Sequence, residues 1–245
     1  MIDKKLVKNS FKKSLETYEA NAFVQKDMAS KLIKLLPPRA FERVLEIGMG
    51  TGILTNLLFE KLDIKEFFAN DIVAECDEYL SQIAPESIFI EGDIEELILP
   101  DKFSLVASNA VFQWIVDFPF FIKKISSVIE KNGYLLFSTF GQENFKELSK
   151  ITDISLEYMN TEELKKVLAE KFEIVDIKES QEKIYFKKFR ELIRHLKTTG
   201  VNGIPHKPIT YVAMKKFEKE YKNTYKGKNG LFLTYNPIYV LCKRK

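Results

Sequence analysis

The feature that most constrains this chain is the run Glu46-Ile47-Gly48-Met49-Gly50-Thr51-Gly52, which directly follows the short apolar stretch Arg43-Val44-Leu45. From Ile53 to Leu62 the apolar residues return at helical spacing, so the unit reads as strand, glycine turn, helix. Glycines placed after a buried strand let the backbone turn tightly and approach a ligand without a side chain in the way. The spacing selects among ligands. A dinucleotide site asks for G-x-G-x-x-G, whereas here the third glycine falls one position early, and no Gly-Lys-Ser/Thr ending marks a P-loop. Glu46, just ahead of the glycines, would repel a pyrophosphate but can hold the ammonium of an amino-acid moiety.

The alternation of strand and helix continues. Glu66-Phe-Phe-Ala reads as a second strand, Cys76 to Ile83 as a helix, Ser87-Ile-Phe-Ile as a third strand and Phe103 to Ser108 as a fourth. Pro119 to Ile129 is a further helix, and Gly133 to Thr139 a fifth strand entered through the turn pair Asn132-Gly133. Such alternation implies a parallel sheet covered on both faces. Ahead of it, apolar residues from Phe11 to Leu36 recur at mostly helical spacing until Pro37-Pro38, which predicts one or two amphipathic helices. Beyond Phe140 the pattern changes. Thr161 is expected to cap a helix, Phe172 to Ile177 to form a strand, and Phe186 to Lys197 and Thr210 to Tyr225 to form two basic amphipathic helices around the turn-rich stretch Gly200 to Pro208. Leu231 to Leu241 is expected as a last strand. The expected organisation is one domain over 1–245, with a helical segment at 1–36, a cofactor-binding core at 37–140 and a helical cap at 183–228.

Two acidic positions follow the glycines in chain order. Asn70-Asp71-Ile72 ends the second strand, where a carboxylate can accept both hydroxyls of a ribose. Gly92-Asp93-Ile94 follows the third, where Asp93 can accept from an adenine amino group while Ile94 covers the ring. Each has a plainer explanation: the glycines as a structural turn, Asp71 as a helix N-cap, Asp93 as a turn cap.

Bulk composition limits the partners. The 38 basic and 35 acidic residues leave a net charge of +3, too small to make nucleic acid the default ligand. Cys76 and Cys242 fit neither a disulfide framework nor close metal-ligand spacing, so no metal site is expected and a reduced cytoplasmic setting is. Met1 to Ser14 mixes five lysines with single apolar residues, unlike a secretory signal, and no stretch is long and uncharged enough to cross a bilayer. A cytoplasmic monomer is the expectation.

Val44-Leu-Glu-Ile-Gly-Met-Gly-Thr-Gly, with Asp71 and Asp93 at the next two positions, resembles the first motifs of class I S-adenosylmethionine methyltransferases over about residues 40 to 140. The resemblance implies an α/β, Rossmann-like sheet of seven strands with the last reversed, a helical cap insertion, and S-adenosyl-L-methionine as methyl donor. A narrower resemblance covers nearly the whole chain. The segment from Phe11 through Tyr18 to Gln25, the elements Gly92-Asp-Ile-Glu-Glu-Leu and Ser108-Asn109-Ala110-Val-Phe-Gln113-Trp114, the cap segment Leu192 to Asn202 and Leu233-Thr-Tyr-Asn-Pro-Ile-Tyr are similar to malonyl-acyl-carrier-protein O-methyltransferases, the carboxyl methylases of biotin biosynthesis. Ser104 and the pair Met49 and Thr51 depart from residues common in related enzymes, without removing a backbone contact. The implied partner is acyl carrier protein bearing a malonyl thioester, and the implied donor-site residues include Tyr18, Gln25, Asn109 and Ala110.

An ionised carboxylate needs no general base to accept a methyl, and the chain offers no Ser-His-Asp or Cys-His constellation. It needs a partner that fixes one oxygen. Arg190, Arg194 and Lys197 can share a helix face, and His195 lies among them; the stripe is a candidate for the carboxylate, for the acidic surface of a carrier protein, or for a solvated face. Gln113 is a candidate for orienting donor or acceptor, Trp114 for shielding the reaction from water, and Tyr18 for closing over the donor; core packing would account equally for Trp114 and Tyr18. The competing functions are methylation of another small carboxylate, phenol or amine, a non-catalytic module that binds the donor, and, against the glycine spacing, a nicotinamide-dependent oxidoreductase.

Overall fold

The chain is described by a computed structural model covering residues 2–100, 102–152, 156–198 and 210–245. Strand β1 (Ala40–Ile47) pairs in parallel with β2 (Asp63–Asp71) on one side and β4 (Phe103–Asn109) on the other. β3 (Ile88–Glu91) extends the β2 edge, and β5 (Ile129–Phe140) lies parallel to β4. β10 (Pro237–Arg244) runs antiparallel between β5 and β6 (Phe172–Glu179), giving the order β3-β2-β1-β4-β5-β10-β6. The direction of winding reverses between β1 and β4, and a crevice at the carboxyl ends of strands on either side of such a switch is where an open α/β sheet binds its ligand.

Alternate residues of the same strands feed two apolar layers, as the two-residue period of a strand requires. Val44, Leu105, Leu136 and Leu241 face one layer with Leu15, Met28 and Leu32 from α1 (Lys4–Asn21) and α2 (Phe23–Leu32). Leu45, Val106, Phe137 and Val240 face the other, against Phe121 and Ile125 of α5 (Phe118–Val128) and Leu164 and Leu168 of α7 (Thr161–Ala169). Helices α3 (Ile53–Lys61) and α4 (Cys76–Ile83) complete the crossovers.

Several expectations need correction. Helix α1 begins at Lys4, ahead of the apolar periodicity, because the Asp3 carboxylate accepts from the amides of Lys5 and Leu6 and caps it. The expected last strand, Leu231 to Leu241, is two strands. β9 (Gly230–Tyr235) pairs with β7 (Glu182–Phe186) and β8 (Lys226–Gly227) in a separate three-stranded sheet, and β10 alone joins the large one. The chain turns the corner at Asn236: its side chain accepts from the Glu143 amide and donates to Ser180 O, and Pro237 then enters β10 without an amide hydrogen. The region 183–228 therefore holds strands as well as the helices α8 (Phe189–Thr198) and α9 (Tyr211–Thr224). A short helix α6 (Lys146–Thr152) follows β5. Asn160, not Thr161, caps α7: its backbone is extended, and it exchanges hydrogen bonds with Glu163 in a capping box. The expected turn from Gly200 to Pro208 lies outside the described residues.

Candidate active site

The carboxyl ends of β1, β2, β3 and β4 line a cleft. Among the expected cofactor residues, Tyr18, Glu46, Ile47, Gly48, Gly50, Asn70, Asp71, Ile72, Gly92, Asp93, Ile94, Asn109 and Ala110 line it. Gly52 does not; it sits at φ +82° at the start of α3, where an added Cβ would fall 2.2 Å from Ile83. Gln25 lines a neighbouring cavity instead.

The glycine turn is held against the end of β2. The amides of Gly48 and Met49 both donate to Asn70 O, at 2.8 and 3.0 Å. Gly48 adopts φ +70°, and a Cβ there would lie 2.4 Å from Val111 Cγ2, so the loop passes under Val111 with no room for a side chain. Asp71 accepts from the Gly50 amide at 2.9 Å through Oδ2 and from the Val73 amide at 2.9 Å through Oδ1. Glu75 holds the N-cap position of α4 without a side-chain bond, so Asp71 is not its N-cap. A carboxylate has about four acceptor sites, so Asp71 keeps capacity for ligand hydroxyls. Asp93 accepts from the Glu95 amide at 3.1 Å, the turn cap that the sequence left open, and also pairs with Lys4 at 3.1 Å.

The electrostatics of the cleft follow from burial. Glu46 is 1% exposed, and desolvation raises its pKa to about 8, opposed by the hydrogen bond from Thr55 Oγ1 at 2.7 Å and assisted by the Asp71 charge. Burial also raises Asp71, against the amides that donate to it. Two carboxyls held in this way make a site that a cationic ligand group would relieve. The Tyr18 hydroxyl, desolvated and near Asp71, is kept protonated well above its ordinary range.

A second cavity adjoins the first, sharing the walls Val7, Phe11, Tyr18, Ala110 and Trp114. Gln25, Gln113, Asn144, Tyr158 and Tyr235 supply its polar lining, and none of its described lining residues carries a formal charge. At the junction Ala110 is held in the left-handed region, φ +57°. Its amide donates to Ser138 Oγ, Ser138 donates to Asn109 Oδ1, and Asn109 Nδ2 donates to Gln25 O, tying the end of β4 to β5 and α2. Gln113 Nε2 donates to Ala110 O at 2.7 Å.

The cap residues of the sequence reading do not join this pair of cavities. Arg190, Arg194 and Lys197 are exposed on α8 and line neither. Helical spacing correctly put them on one helix but could not say which way it faces. His195 is buried, with Nε2 2.7 Å from the Tyr235 hydroxyl and its ring stacked 5.1 Å from Phe23, and burial pushes its pKa down to about 4. It stands behind the wall residue Tyr235 rather than in the cavity. Asn144, Tyr158 and Tyr235 were not foreseen as lining residues, nor was Lys4 at the first cleft.

Comparison with known proteins fits this geometry. A family model described as a methyltransferase domain matches residues 45–137. The fold is similar to that of YcgJ from Bacillus subtilis (TM-score 0.65, 17% identity, 89% of this chain and 98% of that one). It is also similar to the N-methyltransferase NodS from Bradyrhizobium japonicum in complex with S-adenosyl-L-homocysteine (TM-score 0.60, 13% identity, 98% of each). The glycine turn that a Cβ would fill and the desolvated Glu46 fit a ligand with such an amino-acid end, and the chain has the fold of the class I S-adenosylmethionine-dependent methyltransferases with a methyltransferase domain within it. It is 38% identical to a malonyl-[acyl-carrier protein] O-methyltransferase of Calditerrivibrio nitroreducens over 97% of this chain and 96% of that one. It is 36% identical to that of Chlorobium luteolum over 100% and 97%. The chain belongs to the malonyl-[acyl-carrier protein] O-methyltransferase family.

Proposed function

We propose that the chain methylates the free carboxyl of malonyl carried on acyl carrier protein, with the donor in the first cleft and the malonyl end in the second cavity. The observation that carries this is the shared wall at Tyr18 and Trp114, beyond which no described lining residue offers a charged or imidazole base. A phenol or ammonium acceptor would have to lose a proton there, whereas a carboxylate arrives ready to react.

When bound, S-adenosylmethionine supplies an activated methyl on a sulfonium. Glu46 would hold the ammonium of the donor, Asp71 would accept from its ribose hydroxyls and Asp93 from its adenine amine, with Ile94 against the ring. Tyr18 and Trp114 exclude water from the junction. The acceptor carboxylate would take that methyl while the electron pair of the broken carbon–sulfur bond stays on sulfur, so no residue of the chain would need to move a proton. The product is a neutral methyl ester, which a chain-elongating synthase would accept in biotin biosynthesis, the pathway that the sequence resemblance implies. Arg190, Arg194 and Lys197 then belong with the acidic surface of the carrier protein rather than with the reacting carboxylate. No described helix is long and apolar enough to cross a membrane. The reduced cysteines and the small net charge expected from the sequence support a cytoplasmic enzyme, which we take as a monomer.

Mass spectrometry of malonyl- and acetyl-acyl carrier protein after incubation with the protein and donor tests this. One methyl added to the malonyl form alone is expected. Methylation of neither form, with the donor shown to bind, would overturn it.

A further inference from the structure

Methylation erases a charge, and this limits how the acceptor can be held. A buried arginine paired with the carboxylate would be left without a counter-charge once the ester forms, which strongly disfavours the product state. Neutral donors can bond a carboxylate and an ester carbonyl alike. The second cavity has that character, since its described walls carry amides and phenols and no cation.

Within those walls one group is aimed by its neighbours. Asn144 is 2% exposed, and its Oδ1 accepts from the Asn236 amide at 3.2 Å. That bond fixes the orientation of its amide, so Nδ2 donates to the Tyr158 hydroxyl oxygen at 2.9 Å. With its oxygen serving as acceptor, Tyr158 has its own proton left to give. Burial raises its pKa to about 12, so that proton is retained at any working pH. Tyr235, also in the wall, is instead engaged with His195. Gln113 has its Nε2 on Ala110 O. Gln25 is 5% exposed with an amide oxygen that lacks a partner among the described residues, and a half-turn of its terminal torsion would present a second donor.

We propose that Tyr158, oriented by Asn144, donates the hydrogen bond that fixes the acceptor's free carboxylate in the second cavity and thereby selects an acyl thioester ending in a carboxylate over one ending in a methyl. This rests on the malonyl reading above and adds to it a recognition by uncharged groups.

The experiment compares the full-length protein with Tyr158→Phe and Asn144→Asp. Calorimetry measures binding of malonyl- and acetyl-acyl carrier protein to each protein saturated with S-adenosylhomocysteine, and KM and kcat are measured with the methyl donor. Both variants are expected to lose most of the preference for malonyl over acetyl, with KM for the malonyl form raised about 10- to 100-fold, as for loss of a hydrogen bond to a charged group. Affinity for S-adenosylhomocysteine should stay within about twofold. Asn144→Asp keeps the phenol ring but turns its hydroxyl hydrogen bond toward the new carboxylate, which separates loss of the donor from loss of packing. Malonyl preference and KM unchanged in Tyr158→Phe, with the wild type active, would overturn the inference and leave the function standing. A wild type that neither prefers nor methylates the malonyl form would overturn the function and the inference with it.

Discussion

The ammonium of Lys4, in the first turn of α1, lies 3.1 Å from the Asp93 carboxylate and 2.6 Å from that of Glu95, bridging the amino-terminal helix to the loop after β3. Lys8 and Lys12, each one turn further on, pair with Glu91 and Glu75. The same helix supplies Val7, Phe11 and Tyr18 to both cavities, so these ion pairs latch one wall of the active site. Partly exposed pairs contribute about 0.5–1 kcal/mol each and weaken with salt. Lys4→Gln should therefore speed amide hydrogen exchange across α1 about two- to fivefold in the ligand-free protein, read by mass spectrometry. Added salt should speed it in the wild type and less so in the variant. Exchange in α1 indifferent to both changes would show that apolar packing alone holds the helix.

A Glu46 that holds the donor's ammonium would link donor binding to pH. With its pKa raised to about 8, it is largely protonated at neutral pH and must ionise to hold an ammonium. Affinity for S-adenosylhomocysteine should fall by up to about tenfold per unit as the pH drops below about 8, with proton release on binding, and Glu46→Gln should weaken binding and flatten the slope. Stability moves the other way. A carboxyl whose pKa is raised on folding stabilises the fold fully below its unfolded pKa, and the contribution is lost as pH rises through about 8. Ligand-free Glu46→Gln should gain melting temperature relative to the wild type above pH 8. A pH-independent affinity between about 6 and 8 would contradict this account.

Gly48 makes a steric prediction. Alanine there faces both φ +70° and the methyl of Val111 at 2.4 Å. Left-handed backbone alone costs a non-glycine residue about 1–3 kcal/mol. Gly48→Ala should lose more than that in urea denaturation, and adding Val111→Ala should restore the contact part but not the backbone part. Full recovery in the double variant would mean that φ carries no cost.

How much of this was legible in the sequence depends on the range of the interactions. The glycine turn, Asp71 and Asp93 are each fixed by residues close in sequence or at the end of a neighbouring strand, and their order along the chain is enough to expect them in one cleft. The second cavity is different. Asn144 meets Asn236 across 92 positions and His195 meets Tyr235 across 40, so neither partnership leaves a local pattern. The same holds for β7 and β9, which pair from Glu182 with Tyr235 to Phe186 with Leu231. Amphipathic spacing identified α8 as a helix but not the direction of its basic side, so it could not say that Arg190, Arg194 and Lys197 line neither cavity.

Those basic residues carry a prediction of their own. If Arg190 and Arg194 meet a carrier protein, their contribution depends on the acidic protein and not on the malonyl group. Arg190→Glu with Arg194→Glu should raise KM for malonyl-acyl carrier protein about tenfold or more, and should leave KM for a short malonyl thioester within about twofold. The KM of the wild type for the carrier protein should rise with salt. An equal loss on both substrates would place these arginines with the acceptor after all.

His195 separates packing from catalysis. Its imidazole contacts Phe23, Phe186 and Tyr235 and does not line either cavity, and its pKa of about 4 keeps it neutral through the physiological range. A histidine whose pKa is depressed on folding contributes stability that is present in full above its unfolded value near 6.5 and is lost as pH falls through about 4. The wild type should therefore lose up to roughly 3 kcal/mol from this group between those limits. His195→Phe keeps the aromatic packing and should remove that part of the pH dependence. It should cost about 1–3 kcal/mol of stability at neutral pH, through the bond to Tyr235 that is left unmade. Turnover of folded His195→Phe at pH 7–8 should stay within about threefold of wild type, since no proton transfer passes through the ring. A hundredfold loss of kcat in a variant that melts normally would return His195 to the catalytic set and require the acceptor to lose a proton in the reaction.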